Sequence, residues 1–242
     1  MDIRKNTLVN AAAFAAAALG TIIGNVSGSS VLVFICKPLL MIILSSWFYF
    51  KSRRVGDRFT LLIQAGLFFS LVGDVALMAQ EQDEFFFLIG LGSFLIAQLC
   101  YAMAFAHNVA NTSGPVSFVP GLIAVGIIAY GFLFAMDLVP RVDEHITLPV
   151  SIYAIAICLM GVAAAFRYHR TYPRSFWMVF VGACLFILSD SLLAYDRFIF
   201  PLIHAKWSVI LTYAAAQYLI ITGCLVHVLD PAEIRRKAAL NT

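Results

Sequence analysis

The sequence predicts an all-α, polytopic integral membrane protein with eight transmembrane helices, and three observations predict it. Of its 242 residues, 62% are hydrophobic and only 12% are charged, whereas soluble domains carry about 25% charged residues. Apolar runs of about 20 residues, the length that crosses a bilayer as a helix, recur from end to end. Basic residues gather in alternate loops between those runs. The runs fill residues 1–242, so a single membrane domain is expected and no separate soluble domain fits. The net charge of +3 gives no reason to expect nucleic acid as a partner.

Taken in order, Met1 to Asn6 is a short polar start with Arg4 and Lys5. The first apolar helix is expected from Thr7 to Asn25. A basic start before an apolar run also fits a signal peptide, but the internal repeat described below needs this helix. Ser27 to Ser30 make a tight connection. The second helix runs from Val31 to Phe50 with Lys37-Pro38 near its start, and Lys51, Arg53, Arg54 and Arg58 follow it. The third, Phe59 to Ala79, carries Asp74 and leads into the acidic turn of Glu81, Asp83 and Glu84. The fourth, Phe85 to His107, contains Gln98 and Tyr101. The fifth, Val116 to Leu138, has Pro120 near its start. The sixth, Thr147 to Arg167, opens with Pro149, a place where proline is tolerated. The seventh, Ser175 to Tyr195, carries Asp190, and the eighth, Trp207 to Leu229, carries Tyr213 and Gln217. Asp230, Pro231 and Glu233 then read as the capped start of a short basic tail helix over residues 231–242.

Eight spans leave both ends on one side. Twelve of the sixteen basic residues fall on that side, three (Arg141, Arg197, Lys206) on the other, and Lys37 lies within a span. The positive-inside rule then places both termini in the cytoplasm. Trp47, Trp177 and Trp207 sit at expected helix ends, as interfacial anchors do. A plasma membrane, the inner membrane if the source is bacterial, is the expected location.

Asp74 and Asp190 sit in the stretches Leu71-Val72-Gly73-Asp74 and Leu188-Ser189-Asp190-Ser191. Aligning them places Gly66 on Gly182, Ala97-Gln98 near Ala216-Gln217, and Lys37-Pro38 near Leu148-Pro149. That order suggests a 4+4 duplication with parallel halves, residues 1–110 and 111–230. A charged group at bilayer depth costs about 2.5–3.5 kcal/mol on insertion scales, so two in matching positions point to use. Each aspartate is expected about five residues from the outer end of its helix, roughly 8 Å deep. Lys37 falls about six residues into its own helix. Tyr213 and Gln217, four apart, share one face of the eighth helix. Lys37, Asp74, Asp190, Tyr213 and Gln217 therefore lie in one layer, with Gln98 and Tyr101 near mid-depth, and polar groups in lipid must turn inward and pair. One polar pocket open toward the outer leaflet is expected. The bland alternative, a Lys–Asp staple with interhelical hydrogen bonds, accounts for one aspartate and leaves the other unexplained.

Other chemistries fit poorly. The five cysteines lie within apolar runs at no metal spacing, and the histidines are expected in solvent near helix ends. Ser70, Ser189 and Ser191 lack a partnering histidine, which argues against a serine hydrolase. Two carboxyl groups in a low-dielectric pocket cannot both ionise easily, and Lys37 would keep one of them charged. The result is one acid and one base, a pairing suited to an acid-labile bond.

The Lys37-Pro38 pair, the Gly73-Asp74 helix, Gly92-Ser93-Phe94-Leu95 leading to Gln98 and Tyr101, Ser189-Asp190-Ser191, and Tyr213 with Gln217 together resemble the YhhN-like lysoplasmalogenase family over nearly the whole chain. That resemblance implies a membrane enzyme that hydrolyses the vinyl ether bond of a lysoplasmalogen, a lysophospholipid substrate, to a fatty aldehyde and a glycerophosphoethanolamine or glycerophosphocholine. Asp74 and Asp190 would be catalytic; Lys37, Gln98, Tyr101, Tyr213 and Gln217 would bind substrate. No metal or organic cofactor is required. A transporter is the competing class, but the aspartates are off-centre and their helices carry no internal proline.

Overall fold

Residues 5–52, 57–80, 82–110 and 117–229 are described by the computed structural model. Among them run eight α-helices: α1 (Thr7–Ser27), α2 (Ser30–Ser52), α3 (Arg58–Met78), α4 (Glu84–Ala110), α5 (Val119–Leu138), α6 (Glu144–Ala165), α7 (Pro173–Phe198) and α8 (Ala205–Val228). All eight are long and apolar enough to cross a membrane, and the chain is an integral membrane protein. The expected tail helix lies outside the described residues.

Local chemistry sets several ends. Asn6 accepts from the Leu8 and Val9 N–H groups and starts α1. Asp57 and Thr60 form a reciprocal capping box for α3. Gly28 ends α1 at φ 71°, a left-handed conformation that glycine adopts without a Cβ clash. Other ends depart from expectation. Pro149 is interior rather than initial, because Asp143 already accepts from Ile146 and Thr147 and starts α6 earlier. Pro38 lies inside α2, as expected. Having no N–H, the two prolines remove the hydrogen bonds that would otherwise run back to the Phe34 and His145 carbonyls. α7 continues through Asp196 and Arg197 to Phe198, one turn past its expected end.

Consecutive helices pack on one another, most extensively α3 on α4 and α7 on α8, except that α4 packs on α6 rather than on α5. α8 is central and touches α1, α2, α3 and α7. Some 56% of its spanning window is buried, against 11% for α5, which leans on α6 and barely reaches α7. The core between α2, α3, α4 and α8 is large and aromatic, with Trp47, Phe48, Phe59 and Phe105 almost wholly buried. Glycines permit the closest approaches. A Cβ at Gly66 would lie 2.5 Å from the Tyr101 ring of α4, and one at Gly182 would lie 2.9 Å from the Ile220 backbone of α8. These are the two glycines aligned by the suggested repeat, each facing the helix that follows its own.

At the end of the bundle away from the α1–α2 turn, polar groups expected in solvent are instead buried. Arg167 is fully buried, donating from Nε to Asn108 Oδ1 at 3.1 Å and from Nη2 to Ser175 Oγ at 2.9 Å. Burial draws its guanidinium down to about 10, still charged at neutral pH. His227 is buried too, 2.9 Å from Asn108 Nδ2. These groups tie the ends of α4, α7 and α8 to the turn after α6. Arg167, one of the twelve basic residues counted on the side of the termini, is thus a structural cation and not a surface charge.

Candidate active site

At the opposite end, residues from all eight helices line a cavity of about 480 Å³. Its walls are mostly apolar, and its charged groups come from four helices: Lys37 of α2, Asp74 of α3, Asp190, Asp196 and Arg197 of α7, and Lys206 of α8.

Asp74 is 1% exposed. Its Oδ1 lies 3.4 Å from Lys37 Nζ, and its Oδ2 accepts from the Tyr213 hydroxyl at 2.8 Å. A buried charge is tolerated when paired and hydrogen-bonded, and this one is both. Asp190 has a different setting. It is partly exposed to the cavity, and the Tyr153 hydroxyl of α6 donates to its Oδ2. Among the described residues no cation forms an ion pair with it. Tyr153 has no signal in the sequence, because a tyrosine in an apolar helix reads equally well as a core or interfacial aromatic.

Phe94 and Tyr213 form part of the cavity floor, ring centroids 5.8 Å apart and edge to face, with Phe186 set edge-on behind both. One to two turns below that floor lie Gln98, Tyr101 and Gln217, all buried and none on the cavity wall. Tyr101 donates to Gln217 Oε1 at 2.9 Å, and Gln217 Nε2 donates to Ser70 Oγ at 3.0 Å. A longer bond of 3.4 Å runs from Gln217 Nε2 to the Tyr213 hydroxyl. Gln98 lies beside Tyr153. Lys37, Asp74, Asp190 and Tyr213 are therefore gathered at the cavity as the sequence suggests, whereas the two glutamines and Tyr101 stand behind it.

Depth also differs from expectation. α3 ends about one turn past Asp74, but α7 ends about two turns past Asp190. The extra turn of α7 carries Arg197 onto the cavity rim.

Residues 32–224 match the sequence model of the YhhN family. The chain is 30% identical over 200 residues to the lysoplasmalogenase TMEM86A of Bos taurus, covering 76% of this chain and 74% of that one. It is 32% identical over 193 residues to the human lysoplasmalogenase TMEM86B, covering 78% and 73%. A lysoplasmalogenase of Mycobacterium bovis is 32% identical over 141 residues, 57% of this chain and 50% of that one. No solved structure matches the chain.

Proposed function

The chain belongs to the YhhN family, and on that premise we propose that it hydrolyses the vinyl ether bond of lysoplasmalogens at the Asp74–Asp190 cavity. The observation that carries this reading is the pair of carboxyl groups, differently partnered, on one apolar cavity.

A vinyl ether is cleaved by protonating its outer alkene carbon. Asp190, away from the Lys37 cation, holds the proton and delivers it there; the alkene electron pair forms the new C–H bond. The oxocarbenium ion left behind is stabilised by the Asp74 carboxylate, which Lys37 and Tyr213 keep ionised and fixed. Water adds to the cationic carbon and passes a proton to Asp74. The hemiacetal then collapses: its hydroxyl proton returns to Asp190, Asp74 protonates the departing glyceryl oxygen, and both carboxyl groups are reset. The products are an aldehyde and a glycerophospho-alcohol. Tyr153 orients Asp190, and the buried Tyr101–Gln217–Ser70 chain holds Tyr213. The apolar walls take the single alkenyl chain, which reaches the cavity from the bilayer.

The basic-residue asymmetry supports an orientation with both termini cytoplasmic and the cavity toward the outer leaflet. A carrier mechanism has less support, since α3 and α7 are continuous helices without an internal proline. The test is aldehyde release by the detergent-solubilised protein. The expected result is aldehyde from 1-alkenyl lysophospholipid and no cleavage of the 1-acyl analogue. No aldehyde from folded protein would remove this chemistry.

A further inference from the structure

The cations of the cavity are layered. Lys37 lies deep and is committed to Asp74. Arg197 and Lys206 line the rim, and among the described residues neither forms an ion pair. Arg197 follows Asp190 by seven residues on α7, which returns it to nearly the same face about 10 Å nearer the helix end. Lys206 stands in the same relation to Tyr213 on α8. Two carboxyl groups thus sit below two free cations.

The Arg197 guanidinium is held in place. Its carbon lies 3.8 Å from the Phe87 ring centroid, and Nη1 donates to Gln80 Oε1 at 2.9 Å. Glu84 faces the group but does not reach ion-pair distance. Asp196 next to it is occupied in the loop, accepting from the Leu202 N–H at 2.8 Å. Stacking on Phe87 and bonding to Gln80 fix the guanidinium plane and leave Nε and Nη2 for a ligand, the arrangement suited to a phosphate.

Resting on the hydrolase reading above, we infer that Arg197, assisted by Lys206, binds the phosphate of the lysophospholipid and so sets which bond meets Asp190. Seven bonds separate the alkene carbon to be protonated from phosphorus. At about 1.2 Å of advance per bond, as in an extended backbone, that is about 8 Å. With a hydrogen bond of about 3 Å at each end the reach becomes about 14 Å, which the rise of about 10 Å from Asp190 to Arg197 meets once the longer arginine side chain extends beyond its own turn. Gln80 is a positioning residue.

Kinetics on two lipids test this: a 1-alkenyl lysophosphatidylcholine and the 1-alkenylglycerol of the same chain, which has no phosphate. Wild type should show the lower KM for the phospholipid. Arg197→Gln should raise that KM about tenfold or more, the effect of losing a hydrogen bond to a charged group. On alkenylglycerol, which offers no phosphate to hold, both kcat and KM should match wild type, while kcat on the phospholipid should fall as the bond loses its register with Asp190. Arg197→Lys should restore part of the loss, and Gln80→Ala should give a smaller rise. An equal rise for both lipids, or no rise in either, would overturn the assignment while leaving the hydrolase reading in place. Wild type that releases aldehyde from neither lipid would overturn both.

Discussion

The aspartates of α3 and α7 look equivalent in sequence, yet the fold treats them differently. Asp74 stands beside the dense α3–α4–α8 core with a cation and a tyrosine on its two oxygens. Asp190 faces the side of the bundle where α5 is loosely attached, and it has a tyrosine alone. The lesson is that two carboxyl groups matched in sequence differ in chemistry only when their neighbours differ. Lys37 has no counterpart beside Asp190, because the aligned position in the second half is Leu148. One feature is common to both sites: a tyrosine donates to each aspartate, and a buried glutamine stands behind each tyrosine.

The largest expected effect is loss of catalysis in Asp74→Asn and Asp190→Asn, each lowering kcat by about 10²–10⁴, the usual contribution of a positioned acid or base. Thermal melting separates them. Asp74→Asn strands Lys37 and should lower the melting temperature; Asp190→Asn should not. A stable, active Asp74→Asn would break the comparison. Next in size is Lys37→Met, which leaves Asp74 buried and unpaired, at a cost of about 3–5 kcal/mol. The double variant Lys37→Met/Asp74→Asn should regain most of that stability in a denaturation series while remaining inactive. If the double variant is as unstable as the single, the pair is not coupled as described.

The two tyrosines should part in the same way. Tyr213→Phe removes a donor from a buried carboxylate and should cost about 1–3 kcal/mol of stability. Tyr153→Phe should spare stability and lower kcat about tenfold, the kinetic equivalent of about 1.4 kcal/mol. Equal effects of both on stability would erase the distinction between the two sites. The smallest effect is expected at Tyr130→Phe, which cuts the 2.8 Å bond from α5 to Ser191. On the loosely packed helix it should change stability by about 0.5 kcal/mol or less.

The number and order of the helices were legible because an apolar run of bilayer length has few other uses. Their ends were less so. α7 runs on through Asp196 and Arg197, since charged residues are acceptable once a helix clears the apolar layer, and composition alone does not separate them from a loop. Pro149 was misplaced because proline near a helix start and proline one turn inside leave the same mark in a sequence. Lys37, Asp74, Asp190 and Tyr213 were readable as polar groups at a shared depth. Gln98, Tyr101 and Gln217 were readable as polar but not as lying under the floor. A single turn of helix separates wall from interior, and side chains such as Phe94 decide where the floor falls. Arg167 and His227 were misread because a charge near a helix end is usually solvated, and the Asn108 and Ser175 partners that bury Arg167 come from distant segments.

The asymmetry of the two carboxyl groups is open to direct observation by infrared spectroscopy of the protein in lipid at neutral pH. The account predicts a carbonyl stretch of a protonated carboxyl group in wild type that disappears in Asp190→Asn. A band that persists in Asp190→Asn, or no such band in wild type, would contradict the assignment of Asp190 as the acid.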